Sequence, residues 1–166
     1  MKTTAFFTRM LSWLTGSRLT VDNSVVRELD LDRFLGSWYE VARFDHFFEC
    51  GMSQTRANYV LRDDGNIDVI NTGIKNGKPK TAKGKAKLTD IPSLLRVSFF
   101  GPFYSDYRVM LVDADYRYML IGSGSDGYLW ILSRTPQLAD SDRTAILSDA
   151  KSRGYDTDKL IWVKQD

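Results

Sequence analysis

The chain has 166 residues, 43% of them hydrophobic and 27% charged, which fits one domain with a sizeable core and excludes a disordered or fibrous protein. A formal net charge of +2 is too mild to imply a nucleic-acid partner. A lone cysteine, Cys50, and a lone histidine, His46, exclude an intrachain disulfide and a Cys- or His-rich metal site, and no cofactor is implied.

Residues 1–16, MKTTAFFTRMLSWLTG, start like a secretory signal, but Arg9 interrupts the apolar stretch. No small-x-small cleavage pattern follows closely, no Cys stands at its end to be lipidated, and the stretch is too short to span a membrane. On a helix, Phe6, Phe7, Met10, Leu11, Trp13 and Leu14 gather on one side, with Thr8, Arg9, Ser12 and Thr15 on the other. The expectation is a retained amphipathic helix. It either lies on a membrane surface, with Lys2 and Arg9 towards anionic head groups, or docks on the folded domain or a second copy, which leaves a homodimer open. Residues 19–28 read as a linker, so 1–28 form a helix and linker and 29–166 the folded domain. A cell-envelope or membrane-peripheral location is favoured, with the cytoplasm left open.

From Leu35 the pattern becomes that of strands. Gly36-Ser37-Trp38-Tyr39-Glu40-Val41-Ala42-Arg43 alternates, with Trp38, Glu40 and Ala42 on one face and Tyr39, Val41 and Arg43 on the other. After this strand (37–44) comes an aromatic loop, Asp45 to Gly51, and strands follow over 55–62, 67–73, 81–88, 94–100, 107–112, 118–122 and 128–133. Turn residues separate them, among them Asp63-Asp64-Gly65-Asn66 and Lys75-Asn76-Gly77-Lys78-Pro79. Eight short strands on hairpin-length turns predict an all-β, antiparallel up-and-down meander, and closing it into a barrel removes the exposed edges. Asp140 or Ser141 then caps a C-terminal helix with Ile146, Leu147 and Ala150 on its apolar side, Gly154 stops it, and 159–164 supply a short ninth strand.

Gly36-x-Trp38, Asp113-Ala114-Asp115-Tyr116 and Ser133-Arg134-Thr135-Pro136 together resemble the three motifs of the lipocalins. The wording around them, WYEVARFDHFFE, VSFFGPFYSDY and YLWILSRTP, is similar to bacterial lipocalins and the apolipoprotein-D-like branch, over residues 31–163. Ala114 departs from the Thr often found there, and many bacterial relatives are membrane-anchored lipoproteins whereas this chain has no lipobox. The resemblance implies an eight-stranded barrel that binds and carries or stores a small lipophilic ligand, such as a fatty acid or lysophospholipid, in the upkeep of membrane lipid. In a meander the turns alternate between two rims, which places all three motifs at one closed end. There Gly36, Trp38, Asp115, Tyr116 and Arg134 have a structural role, with the Arg134 guanidinium over the Trp38 indole.

The other rim is then the mouth, carrying Phe47, Phe48, Phe103 and Tyr104. With the resemblance setting the phase, alternation gives a lining of Ala57, Tyr59, Ile67, Val69, Val97, Phe99, Met110, Leu120, Tyr128 and Trp130. Such an apolar, aromatic cavity suits an acyl chain better than a sugar or nucleotide; bulky side chains filling the interior are the competing expectation. Lys75, Lys78, Lys80, Lys83, Lys85 and Lys87 run without an intervening acid. They form a solvated edge hairpin, or else Lys75, Lys78 and Lys80 attract an anionic head group or membrane surface at the mouth. An enzyme is the distant alternative, since a few lipocalin relatives are isomerases or de-epoxidases: His46 and Cys50 share a loop, but nothing supplies an orienting third group. A third class is a membrane-associated interaction module with a filled barrel.

Overall fold

The computed structural model describes residues 19–166. The helix expected over residues 1–16 lies outside the described residues. In order come a single helical turn α1 (Leu31–Phe34), β1 (Gly36–Phe44), β2 (Ser53–Leu61), β3 (Ile67–Lys75), β4 (Lys78–Lys87), β5 (Leu94–Phe100), β6 (Phe103–Val112), β7 (Tyr118–Gly122) and β8 (Leu129–Ser133). Helix α2 (Asp140–Ser152), a 3-10 turn (Thr157–Lys159) and β9 (Leu160–Trp162) complete the chain. Strands β2 to β8 pair with their sequence neighbours, β8 pairs with β1, and β1 pairs back onto β2, so eight strands close a barrel. Strand β9 adds to β1 outside the ring, through Ala42 to Phe44. The β3–β4 hairpin turns on Asn76 and Gly77, whose φ of 51° and 71° suit the tight turn that matches strand twist. Both flanking strands therefore reach further than the turn residues suggested.

Two apolar cores result. The inner one fills the closed half of the barrel around Trp38, Ile67, Val69, Leu95, Val97, Ile121 and Leu132. The outer one lies between the barrel wall and α2, joining Met110, Leu120, Leu129 and Ile131 to Ile146 and Ala150. Met110 and Leu120, expected in the lining, belong to this outer core. An irregularity between Val109 and Leu111 shifts the β6 register, and Leu120 pairs with Leu111 on the outward face. A second irregularity between Glu40 and Ala42 does the same to β1. Ala42 packs in the outer core while Arg43, expected opposite Trp38 and Glu40, is paired with Trp130 and buried to 1% exposure beside Glu40.

The stretch 19–28 is not a free linker. The Asp22 amide donates to the Arg153 carbonyl (2.8 Å) and the Val26 amide to the Val109 carbonyl (3.0 Å), which fastens the segment along the barrel. It leads into α1, where the Asp30 side chain caps the turn by accepting from the Arg33 amide at 3.3 Å. Phe34 then plugs the closed end, fully buried against the Tyr59 ring at 4.7 Å. Neither Asp140 nor Ser141 caps α2: Ala139 holds the cap position without a side-chain bond, and Asp140 and Asp142 lie in the first turn.

At that end the motif residues meet. The Arg134 guanidinium carbon stands 3.7 Å from the centre of the Trp38 ring, and the Trp38 indole N–H donates to the Phe34 carbonyl at 2.8 Å. Gly36 has φ of 93°, and a Cβ there would sit 3.5 Å from the Arg134 guanidinium. Tyr116 accepts from the Asp30 amide at 2.7 Å. Asp115, by contrast, is exposed, and it is Asp113 that holds the turn by accepting from the amides of Asp115 and Arg117.

Candidate cavity and its mouth

The opposite end is open. A cavity of about 670 Å³ lies there, lined by Phe47 and Phe48 of the β1–β2 loop, Asn71 and Lys75 of β3, Lys78, Lys80 and Ala82 of β4, and Phe99 and Phe100 of β5. Beneath it an inner chamber of about 80 Å³ is walled by Ala57, Tyr59, Val69, Val97, Phe99, Tyr107, Ile121, Trp130 and Leu132, with Glu40, Glu49 and Asp106 as its charged members. Phe48, Glu49, Asn71 and Phe99 border both spaces. The outer volume is within the range of small-molecule sites, so the barrel is not wholly filled.

The wall is incomplete on one side. Strands β3 and β4 pair along nine positions, from Ile67 with Ala86 to Lys75 with Lys78. Strands β4 and β5 pair only from Lys85 to Lys87. Gly84 permits the crossing: a Cβ there would lie 2.6 Å from the Ser98 carbonyl oxygen and 2.8 Å from the Phe99 ring. Beyond it the mouthward half of β4 stands away from β5, and Lys78, Lys80 and Ala82 border the cavity.

The loop carrying Phe47 and Phe48 is held by a buried polar cluster. Arg43 donates to Glu40 (3.0 Å) and, through its other terminal nitrogen, to the Glu49 carbonyl (2.8 Å). The Glu49 carboxylate accepts from the Trp130 indole (3.2 Å) and lies 2.6 Å from His46 Nε2. Burial and the neighbouring Glu49 charge push the Glu40 carboxyl well above the ordinary glutamate range, against the pull of Arg43. Burial pushes Glu49 up too, but the bonds and charges of His46, Arg43 and Trp130 outweigh it and leave the group below its usual value. The two carboxyls are thus pushed in opposite directions, Glu40 towards holding a proton and Glu49 towards ionisation. Burial also raises the hydroxyls of Tyr59 and Tyr107, which lie 2.8 Å apart.

Of the residues expected to line the cavity, Ala57, Tyr59, Val69, Val97, Phe99 and Trp130 reach the chamber wall. Ile67 is fully buried in the inner core and lies outside that wall. Tyr128 stacks on Trp130, with ring centres 5.8 Å apart, and faces His46 at 5.6 Å. Among the expected mouth residues, Phe47, Phe48, Lys75 and Lys78 border the cavity. Phe103 and Tyr104 instead open a separate groove with Lys87 and Arg96: Phe103 pairs with Phe100 across the β5–β6 hairpin, and the Lys87 ammonium lies 4.3 Å over the Tyr104 ring. Glu40, Glu49, Asn71, Asp106, Tyr107, Ile121 and Leu132 line the chamber and were missed. Asn71 continues the inward series Ile67, Val69 by twos, and Glu40 shares a face with Trp38, so alternation alone pointed to both; their polarity hid them.

Comparison with known proteins agrees with this architecture. The model of the lipocalin-like domain family matches residues 29–165. The chain is 49% identical to the outer membrane lipoprotein Blc of Citrobacter freundii over 146 residues, covering 86% of this chain and 82% of that protein. It is 42% identical to the protein of the same name from Vibrio cholerae over 168 residues, covering 97% and 98% respectively. Lobster apocrustacyanin A1 superposes with a TM-score of 0.70 at 21% identity, over 91% of this chain and 89% of that one. A barrel with Trp38 and Arg134 clasped at its closed end, matched by this family model over nearly the whole described chain, belongs to the lipocalins.

Proposed function

We propose that the protein binds a small lipophile with an anionic end, an acyl chain bearing a carboxylate or phosphate, and carries or stores it. The observation that carries this is the pairing of a roughly 670 Å³ cavity with aromatic and aliphatic walls and the ammonium groups of Lys75, Lys78 and Lys80 at its rim. Burying an alkyl chain yields about 0.8 kcal/mol per methylene. Lysines at a solvent-facing rim add attraction for an anion without the cost of a buried charge. A binding role is favoured over catalysis because the buried Arg43, His46 and Glu49 are spent on holding one another and the loop. The relatives named outer membrane lipoproteins support work at the cell envelope, at a membrane periphery.

Native mass spectrometry of protein purified from its host, followed by titration of delipidated protein with a fatty acid and a lysophospholipid, tests the reading. A co-purifying lipid and saturable quenching of Trp130 fluorescence are expected. Failure of every anionic lipophile to bind overturns it.

A further inference from the structure

We propose that the inner chamber is a subsite for a hydroxyl group carried on the apolar part of the ligand, an inference that rests on the lipophile reading and adds a second polar anchor to it. Asn71 Oδ1 is buried without a hydrogen-bond partner, and Asn71 borders both the outer cavity and the chamber. Its cross-strand neighbours are Ala57 and Ala82, whose small side chains leave room beside the amide. Across the chamber the Tyr59 and Tyr107 hydroxyls lie 2.8 Å apart. Two hydroxyls bring two hydrogens and their mutual bond uses one, so the pair retains a donor.

The chamber thus offers an unused acceptor and a donor in about 80 Å³ of space whose remaining walls are mainly apolar, the carboxyl groups of Glu40, Glu49 and Asp106 apart. An alkyl chain pushed into it satisfies neither, and an unmet buried polar group is costly. A charged group would need a counter-charge, and Arg43 is already bound to Glu40 and Glu49. A hydroxyl donates to Asn71 and accepts from a tyrosine at once. Water does the same, so it is the occupant a plain chain must displace at a loss and a hydroxylated chain replaces in kind.

The test is titration of full-length, delipidated protein with octadecanoic acid and its monohydroxy isomers, the hydroxyl moved stepwise from the carboxyl end to the terminal carbon. One position is expected to bind about tenfold tighter than the parent acid, the gain of one to two well-made buried hydrogen bonds. That ratio, measured within each protein so that any loss of folded fraction cancels, is expected to collapse towards unity both in Asn71→Leu and in the double variant Tyr59→Phe with Tyr107→Phe, which removes both hydroxyls. Parent acid binding while no isomer binds more tightly overturns the subsite and leaves the lipophile reading standing. A preference that survives in both variants overturns it as well, since the hydroxyl is then held elsewhere. Failure of the parent and all isomers to bind overturns the subsite, and failure of a lysophospholipid as well overturns the lipophile reading.

Discussion

Arg134 reaches across the closed end to Trp38, its guanidinium carbon 3.7 Å from the ring centre, while its nitrogens donate to the carbonyls of Ser37 (2.7 Å) and Leu35 (2.9 Å). It thereby caps the turn carrying Phe34, covers the indole and ties β8 to the start of β1. Arg134→Ala should cost roughly 2–4 kcal/mol, the sum of a cation–π contact and carbonyls left without their donor. Arg134→Lys should recover only part, lacking the planar fork. Ligand affinity should stay near wild type, because the cavity opens at the other end. Chemical denaturation beside ligand titration checks this, and a large affinity loss at unchanged stability would refute a purely structural role.

The Glu40 and Glu49 pair gives the protein a signed pH dependence. Glu40 is raised above the ordinary glutamate value of 4.5, so the folded state holds its proton more tightly than the unfolded chain. Its contribution is full below that ordinary value and is lost as pH rises through the folded value. Glu49 is lowered, so its contribution is present above the ordinary value and is lost as pH falls through its own. Stability should therefore decline from mildly acidic towards alkaline pH, and Glu40→Gln, which keeps a neutral side chain, should flatten that decline. Thermal melts of both proteins across the range decide it: parallel curves would place the proton elsewhere.

Removing Arg43 should be severe. Arg43→Met leaves two glutamates facing each other in a buried site and frees the carbonyls of Glu49 and Met52. A loss of about 3–5 kcal/mol is expected. Arg43→Met combined with Glu49→Leu should recover a substantial part, since the uncompensated charge goes with it. Urea titration of the single and double variants measures the coupling, and additive losses would speak against one cluster.

The rim lysines should act through charge. Lys75→Glu, Lys78→Glu and Lys80→Glu together are expected to weaken binding of a fatty acid by about tenfold or more at low salt, and by less as salt screens the rim. A neutral monoacylglycerol should bind both proteins alike. Equal loss for both ligands would mean that the substitutions damaged the cavity itself.

Leu120 offers a check on the two cores. It is fully buried beneath α2 rather than in the barrel interior. Leu120→Ala should destabilise by about 2–5 kcal/mol while leaving affinity for the same fatty acid nearly unchanged. A selective affinity loss would return Leu120 to the lining.

Much of this was written in the linear order of residues. Eight strands, their turns and the division of those turns between two rims follow from period-two alternation and turn chemistry, because both are local properties of the backbone, whereas the closed end and the contact between Trp38 and Arg134 were implied by the resemblance of the three motifs to the lipocalins. The lysines of β4 were equally plain, since a charged run is read directly. Alternation fails where a strand changes phase, and the irregularities at Glu40/Ala42 and Val109/Leu111 leave no local mark. Only pairing with β8 and β7 decides that Arg43 turns inward and that Met110 and Leu120 turn outward. The same holds for α1, one turn long, which exists because Asp30 caps it and Phe34 has a barrel end to plug. The buried cluster of Glu40, Arg43, His46 and Glu49 was legible as residues but not as a site, since its charges become tolerable in the interior only when the closed barrel brings each its partner.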